Sequence, residues 1–258
     1  MLTSRQNPLT KQIRQLHQAK GRRQMGAFLL EGTHLLQEAI ATNWPLLQVC
    51  ATPAWQNQHP QLWQQAIQAA PEQTVSDDLL AYLCTTVNPD GVVAIAARQP
   101  QRQPPTSASL LIAVETLQDP GNLGTIIRTA AAAGADGLWL TADGVDPDHP
   151  KVLRASAGQW FRLPIAIATD LGQTLRSWQQ QGYQIVSTLP RATTTLWQAD
   201  LTRPTVLLLG NEGAGLSPDL AAIADSAVTI PQAAGVESLN VAIAAALLLY
   251  EARRQRQS

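Results

Sequence analysis

The sequence has few cysteines and no long apolar run. Its 258 residues include two cysteines, Cys50 and Cys84, whose spacing fits neither a disulfide framework nor paired zinc ligands. The longest apolar stretch, near residues 239–250, is shorter than the roughly 20 residues that a helix needs to span a bilayer. We therefore expect a protein with no membrane span and no metal centre, in a reducing, cytoplasmic setting.

Charge is also scarce, and it is unevenly distributed. Charged residues make up 14% of the chain and the formal net charge is −1, whereas nucleic-acid-binding domains are usually basic. The basic residues that precede the first acidic residue, Glu31, are Arg5, Lys11, Arg14, Lys20, Arg22 and Arg23. This local excess of positive charge suits the phosphates of RNA, although a solvated helix face has the same composition.

The length and one biased segment indicate two domains. Domains usually contain roughly 100–200 residues, and residues 98–109 (RQPQRQPPTSAS) are rich in proline and polar side chains. That composition is typical of an extended linker. We predict a first domain over residues 1–98, a linker over 99–109 and a second domain over 110–258.

The first domain is predicted to be a small α/β module. Strands are expected near residues 27–30, 46–51 and 92–96, and helices near 8–20, 34–41, 61–69 and 78–84. The module contains no group of residues that points to catalysis. Binding is therefore its predicted role.

The second domain is predicted to contain a mostly parallel sheet. Short Val/Ile/Leu runs occur near residues 110–114, 137–140, 163–167, 184–188, 205–209 and 227–230. Helical segments lie between most of them, which is typical of an α/β sheet covered on both faces. Ligands of such sheets bind beyond the carboxyl ends of the strands.

Three segments at such ends carry candidate functional residues. The first, ETLQDPGNLGTIIRTA over residues 115–130, contains Asn122 at an expected helix N-cap and Arg128 in an apolar helix. Gly134 is expected to end that helix. Because an unpaired buried charge is costly, Arg128 needs a partner, either the substrate or a nearby carboxylate such as Glu115.

The second segment, LGNEGAGL over residues 209–216, follows an apolar run. Gly210, Gly213 and Gly215 indicate a backbone that approaches a ligand closely or adopts positive φ, although an ordinary turn has the same composition. Glu212 is expected either to cap the following helix or to neutralise a cation. The glycine spacing differs from Gly-x-Gly-x-x-Gly, so a Rossmann-type oxidoreductase is disfavoured.

The third segment, IPQAAGVESLNV over residues 230–241, leads into a long Ala/Leu helix. Ser238 is a candidate N-cap of that helix, and Asn240 is too polar to be placed there by packing alone. Apolar residues occur all round the helix, which predicts that it is buried.

These three segments together resemble the SpoU family, also called TrmH. Residues 4–8 (SRQNP), 20–23 (KGRR) and 28–32 (FLLEG) extend the resemblance to the first domain, which looks like the family's RNA-binding domain with a ribosomal-protein L30e fold. The resemblance implies a trefoil-knotted catalytic domain, a homodimer and transfer of a methyl group from S-adenosylmethionine to a ribose 2′-hydroxyl of RNA.

The resemblance also implies roles for individual residues. The catalytic positions correspond to Asn122, Arg128, Glu212, Ser238 and Asn240. The donor-binding positions correspond to Leu189, Gly210, Asn211, Gly213, Ile230 and Leu239. Two positions depart from the family pattern: Gln232 stands where methionine is usual, and Ala242 stands where serine is common.

The resulting hypothesis is an RNA 2′-O-methyltransferase that acts on ribosomal RNA in preference to transfer RNA. The alternative is a non-enzymatic RNA-binding or ribosome-assembly protein whose methyltransferase domain is inactive. Intact candidate residues at all five catalytic positions favour the enzyme.

Overall fold

The computed structural model describes residues 1–257. The chain folds into two compact units. The first comprises Met1–Pro100 and Asp148–Phe161, and the second comprises Gln101–Pro147 and the described residues from Arg162 onward. The sequence prediction had assigned residues 148–161 to the second domain. None of the helices in the described part of the chain combines the length and apolarity that a bilayer span requires.

The first unit contains a four-stranded sheet with the strand order β1-β4-β2-β3. Strand β4 is antiparallel to β1 and β2, and β2 is parallel to β3. The strands are β1 (Ala27–Glu31), β2 (Leu46–Ala51), β3 (Glu72–Thr74) and β4 (Val92–Ala97). The helices are α1 (Pro8–Gln15), α2 (Ala19–Met25), α3 (Thr33–Ala41), α4 (Pro53–Gln58), α5 (Pro60–Ala69), α6 (Asp77–Leu83) and α8 (Pro150–Ala155).

Both faces of this sheet are buried, because alternate side chains of each strand enter different cores. Phe28 of β1 and Ala94 of β4 belong to one core, with helices α3 and α5. Leu29 and Ile95 belong to the other, with helices α1 and α6. The α/β class predicted for this unit is confirmed, and the sequence prediction missed α4 and β3.

One predicted helix is divided in two. The prediction was a single helix over residues 8–20, whereas the chain leaves the helical conformation between α1 and α2, and Gln18 is extended (φ −101°, ψ 139°). A Cβ atom on Gly21 would collide with the carbonyl oxygen of Gln15. Glycine at this position therefore permits the close approach of the two helices.

Segment Asp148–Phe161 packs with the first unit because its apolar side chains complete that unit's core. Leu153 and Phe161 are buried there, and the rings of Trp160 and Phe28 lie 5.0 Å apart. Arg154 Nη1 also lies 2.6 Å from Glu31 Oε2, in an ion pair whose carboxylate is buried.

The second unit contains a seven-stranded sheet in which every recorded pairing is parallel. The strand order is β7-β6-β5-β10-β8-β11-β9. The strands are β5 (Leu110–Val114), β6 (Gly137–Thr141), β7 (Ile165–Ala168), β8 (Gln184–Thr188), β9 (Thr194–Thr195), β10 (Thr205–Leu209) and β11 (Ser226–Thr229). The helices are α7 (Pro120–Ala133), α9 (Leu171–Gln180), α10 (Pro218–Ala221) and α11 (Val241–Arg256).

Helices cover this sheet on both faces, as predicted. Leu175 of α9 and Leu220 of α10 pack against Leu111 of β5 and Leu208 of β10. The intervening side chains of the same strands, such as Ile112, are also fully buried. Helix α11 contacts α7 and β10.

The predicted linker has no regular secondary structure, yet its residues 101–104 make contacts within the second unit. Gln101 Oε1 accepts a hydrogen bond from the backbone N–H of Ile167, and Arg102 donates to the carbonyl of Leu163. The ring of Pro104 lies where a Cβ atom on Gly137 would stand. These contacts make the segment part of the packed structure.

We expect Leu153→Ala to destabilise the first unit by about 2–5 kcal/mol, because the substitution leaves a cavity in its core. Hydrogen exchange measured by mass spectrometry should show faster exchange in β1 and β4 and unchanged exchange in β5 and β10. The matched control is Leu47→Ala on β2, whose side chain is 46% exposed. Equal protection of β1 in the Leu153 variant and the wild type would contradict the assignment of segment Asp148–Phe161.

Candidate active site

A cavity of about 180 Å³ opens at the carboxyl ends of β8, β10 and β11. This is the edge at which parallel α/β sheets bind their ligands. All six residues predicted to bind the donor line it: Leu189, Gly210, Asn211, Gly213, Ile230 and Leu239. Glu212 and Ser238 line it as well. The fold therefore brings together residues that are up to 50 positions apart in the chain.

The loop after β10 closes tightly on itself. The backbones of Asn211 and Gly215 exchange hydrogen bonds of 2.9 and 3.0 Å, and Asn211 Oδ1 accepts the N–H groups of Gly213 and Ala214. Gly215 has φ +72°, and a Cβ atom on Gly210 would collide with the backbone of Gly215. The loop's own closure therefore requires glycine at positions 210 and 215.

Asn211 also fastens this loop to the segment that follows β5. Its Nδ2 donates to the carbonyl oxygen of Thr116 at 2.7 Å. Thr116 adopts φ +46°, which is rare for a β-branched residue and marks local strain at a functional site. The hydroxyl of Thr116 donates to Asp143 Oδ2, and its N–H donates to Thr141 Oγ1.

A chain of polar side chains connects the three predicted segments. Asn240 Nδ2 donates to Asn122 Oδ1 at 3.0 Å, and Asn122 Nδ2 donates to Glu212 Oε1 at 3.2 Å. The Glu212 carboxylate also accepts the backbone N–H groups of Gln118 and Asp119. We call Asn240, Asn122 and Glu212 the amide–carboxylate chain.

The ends of α7 and α11 differ in part from the prediction. Asp119 is the N-cap of α7 and accepts the N–H of Asn122, so the prediction of Asn122 as N-cap is wrong. Asn240, not Ser238, is the N-cap of α11. Gly134 ends α7 in the left-handed conformation, as predicted.

Glu212 carries a shifted pKa. Partial burial raises the pKa of this carboxyl, but hydrogen bonds from its own backbone, from Asn122 and from the backbone of Asp119 and Gln118 outweigh that effect and lower it. A carboxylate that accepts several hydrogen bonds stays ionised and is a weak base. Glu212 does not cap α10, whose N-cap is Ser217. Among the described residues it also forms no ion pair with a cation.

Arg128 is exposed on α7, which corrects the expectation that the apolar helix buries it. Among the described residues it forms no hydrogen bond or ion pair. The alternative partner, Glu115, instead accepts the N–H of Ser217 at 2.8 Å. The guanidinium therefore remains available to a ligand outside the chain.

Helix α11 is only partly buried, contrary to the prediction. Leu248 and Leu249 are buried, whereas Ile243 and Tyr250 are each 51% exposed. Ile243, Leu247 and Tyr250 follow a spacing of four and three residues, which places them on one face of the helix. An apolar stripe thus faces outward.

Of the basic residues predicted to bind RNA, five lie on the surface of the first unit and one does not. Arg5, Lys11, Arg14, Lys20 and Arg23 are exposed. Arg22 is 1% exposed and pairs with Asp148 at 3.0 Å, so its assignment to an RNA-binding surface is wrong. Its ion-pair partner lies 126 positions away in the sequence.

Two of the exposed arginines stack on an aromatic ring that the sequence analysis did not single out. The guanidinium carbons of Arg5 and Arg14 lie 4.6 and 4.7 Å from the centroid of the Tyr82 ring. Arg14 Nη1 also donates to the carbonyl of Tyr82. We call Arg5, Arg14 and Tyr82 the arginine–tyrosine cluster. The spacing of these three residues in the sequence does not predict the cluster.

Residues 1–257 contain no group of three or more His, Cys, Asp or Glu side chains that could hold a metal ion. Both cysteines are buried and free. Burial raises the pKa of the Cys50 thiol to about 12.

Comparison with known proteins adds to this geometry. Residues 109–250 match the SpoU rRNA methylase family, and residues 7–94 match the MRM3-like substrate-binding domain. The chain belongs to the SpoU rRNA methylase family.

Individual members of the family are similar over nearly the whole chain. An uncharacterised tRNA/rRNA methyltransferase of Synechocystis sp. is 52% identical over 99% of this chain and 94% of its own. The 23S rRNA (guanosine(2553)-2′-O)-methyltransferase RlmP of Bacillus subtilis is 30% identical over 98% of each chain. An AdoMet-bound rRNA methyltransferase from Sinorhizobium meliloti has a TM-score of 0.87 at 34% identity and covers 100% of this chain and 98% of its own.

The lowered pKa of Glu212 predicts a titration in the amide–carboxylate chain. Because the folded-state pKa lies below the unfolded one, the carboxylate's stabilising contribution is present above the unfolded value and is lost as the pH falls through the folded value. In NMR spectra, the backbone amide of Gln118 should titrate with a midpoint below the ordinary value for glutamate, about 4.3. Glu212→Gln should abolish this titration. A midpoint at or above the ordinary value would contradict the hydrogen-bonding pattern.

Proposed function

We propose that this protein transfers a methyl group from S-adenosylmethionine to a ribose 2′-hydroxyl of RNA. The observation that carries the proposal is the cavity at the strand ends, which adjoins the amide–carboxylate chain in a member of the SpoU rRNA methylase family. The five residues proposed to act at the site are Asn122, Arg128, Glu212, Ser238 and Asn240.

The cavity lining fits S-adenosylmethionine. Leu189, Pro190, Ile230 and Leu239 supply apolar walls, which suit the flat faces of an adenine ring. The ionised carboxylate of Glu212 lies on the same cavity and complements the positive charges of the donor. When bound there, the donor supplies an electrophilic methyl group.

Arg128 is proposed to act on the RNA. Its guanidinium stays protonated at all ordinary pH values, so it is a poor general base. It can instead form charge-assisted hydrogen bonds to a phosphate next to the target ribose, or stabilise the negative charge that develops on the 2′-oxygen. Its exposure and lack of a partner within the described residues leave it free for this contact.

The amide–carboxylate chain is proposed to fix the relative positions of the loops at the site. Glu212 binds the beginning of α7 through the N–H groups of Gln118 and Asp119, and Asn122 connects it to Asn240 at the beginning of α11. This arrangement fixes the helix that carries Arg128. Ser238 is exposed on the rim of the cavity, where its hydroxyl can meet substrate.

Ribosomal RNA is the proposed substrate class. Support comes from the similarity to RlmP, whose name specifies 23S rRNA, over 98% of both chains. The match of residues 7–94 to the MRM3-like substrate-binding domain supports a first unit that binds the RNA. The basic surface of that unit contacts backbone charge, not base identity.

We also propose a homodimer through α11. The apolar stripe of Ile243, Leu247 and Tyr250 supports this assembly, since half-exposed apolar side chains on one helix face are suited to an interface. The trefoil knot that the resemblance implies stays a prediction.

The proposed activity is tested by transfer of labelled methyl from S-adenosylmethionine to ribosomal and transfer RNA from cells that lack the gene, with nuclease mapping of the labelled nucleoside. We expect label on a ribose 2′-oxygen of ribosomal RNA. Arg128→Ala should lower transfer about 100-fold or more, because one electrostatic contact to the reacting group is lost, while donor affinity stays unchanged.

The matched control is Arg176→Ala, which removes an exposed arginine from α9 of the same unit and should retain full activity. Unchanged turnover in the Arg128 variant would contradict its role. RNA binding without any methyl transfer by the wild type would instead favour the non-enzymatic alternative.

The arginine–tyrosine cluster is the part of the basic surface best organised for RNA. Stacking on Tyr82 fixes the planes of two guanidinium groups without neutralising their charge. Both arginines are exposed, and preorganised guanidinium groups lose less conformational entropy when they bind phosphate. Contacts of this kind make RNA affinity strongly dependent on salt.

We expect Arg14→Ala to weaken RNA binding and to reduce the slope of log affinity against log salt concentration by about 1, because one phosphate contact is lost. Binding should be measured on the full chain over a series of salt concentrations. Deletion of the first 100 residues is unsuitable, because Leu153 and Phe161 complete the core of that unit. The control is Gln6→Ala, an exposed neutral neighbour, and an equal slope in Arg14→Ala and wild type would rule out the contact.

A further inference from the structure

Gln232 presents a buried hydrogen-bond acceptor that the fold leaves without a partner. Its side-chain oxygen, Oε1, is shielded from solvent and accepts no hydrogen bond from the described residues. Gln232 lines the cavity at the carboxyl ends of the strands. Leaving such an acceptor unsatisfied is costly, and isolated cases in native proteins call for an explanation.

Donors on the neighbouring loops already have partners. The N–H groups of Gly213 and Ala214 bind Asn211 Oδ1, and the N–H of Leu189 binds the carbonyl of Val228. Asn211 Nδ2 binds the carbonyl of Thr116. These four donors are therefore not available to Gln232 Oε1, and a ligand in the cavity is the partner that we consider for it.

The position of Gln232 indicates which part of the donor it meets. Gln232 follows β11, two residues after Ile230, and the end of β11 is joined to the neighbouring loop by a hydrogen bond from Thr229 Oγ1 to the carbonyl of Pro190. Ile230, Leu189 and Pro190 form apolar walls of the cavity. A flat base placed against these walls presents its edge, with any exocyclic amine, to the adjoining polar side chain.

We propose that Gln232 Oε1 accepts a hydrogen bond from the 6-amino group of the donor's adenine and thereby selects an adenine base. The inference rests on the proposed function, because it assigns one contact of the same donor. Methionine at this position would offer only a weak sulfur acceptor, so it is the substitution that removes the contact.

The test is calorimetric binding of S-adenosylhomocysteine and of its 6-desamino analogue, in which purine replaces adenine. Gln232→Met should weaken S-adenosylhomocysteine binding about three- to tenfold, which corresponds to the loss of one hydrogen bond. The same substitution should leave the affinity for the desamino analogue unchanged. Thermal unfolding of the unliganded variant should be no easier than that of the wild type, because the substitution removes an unsatisfied buried acceptor.

The matched control is Gln180→Met, at an exposed glutamine of α9, which should change neither affinity. Unchanged binding of S-adenosylhomocysteine by Gln232→Met, or equal losses for both ligands, would overturn the proposed contact. A purely structural role for Gln232 would lower the stability of the unliganded variant and weaken both ligands alike. Failure of the wild type to bind S-adenosylhomocysteine at all would refute the proposed function and this contact with it.

Discussion

The geometry of the candidate site depends on the hydrogen bonds that the Glu212 carboxylate accepts. Glu212 follows β10, yet it accepts N–H groups from the segment after β5 and an amide from α7, and through Asn122 it reaches the N-cap of α11. Three segments that are far apart in the sequence thus meet on one ionised group. Parallel strands bring their carboxyl ends to one edge of the sheet, but this group sets the spacing of the loops there.

The structural and functional roles of these residues are compatible. Asn240 caps α11 with its Oδ1 and uses its Nδ2 to hold Asn122. Asn211 closes its own loop with one end of its side chain and binds Thr116 with the other. Side chains fully occupied in this way have little freedom to rotate, and restricted rotation is what a preorganised site requires. Arg128 is different, because it is exposed and forms no hydrogen bond or ion pair among residues 1–257, so it stays available to a ligand.

Much of the fold could be predicted from the sequence because most strands of the second unit are short runs rich in Val, Ile and Leu. Strands β5, β8 and β10 begin and end at the predicted residues, since each run is buried on both faces and is bounded by polar or turn residues. The cavity-lining residues lie on the loops that follow such strands. Their meeting at one edge follows from parallel topology alone, although their individual roles came from the family resemblance and stay predictions.

Features that depend on partners distant in the sequence could not be predicted. Arg22 resembles its exposed neighbours in the sequence, and its buried guanidinium is satisfied by distant Asp148 together with the carbonyls of Leu16 and His17. Segment Asp148–Phe161 lies between strands of the second unit in the chain, but Leu153 and Phe161 belong to the core of the first. The N-cap of α7 is a different case, because Pro120 at the first helical position is a local signal that favours Asp119 over Asn122.

The distribution of charge explains how a nearly neutral protein can act on RNA. The buried cation Arg22 pairs with a carboxylate of its own unit, so it adds little to the external field. Arg5, Arg14 and Arg128 are exposed instead, and their charges act where a phosphate can approach. At the site, the Glu212 carboxylate accepts the backbone N–H groups of Gln118 and Asp119, so part of its negative charge is compensated within the loops. Net charge is therefore a poor guide here, because the charges proposed to meet RNA are ones that the fold leaves exposed at the surface.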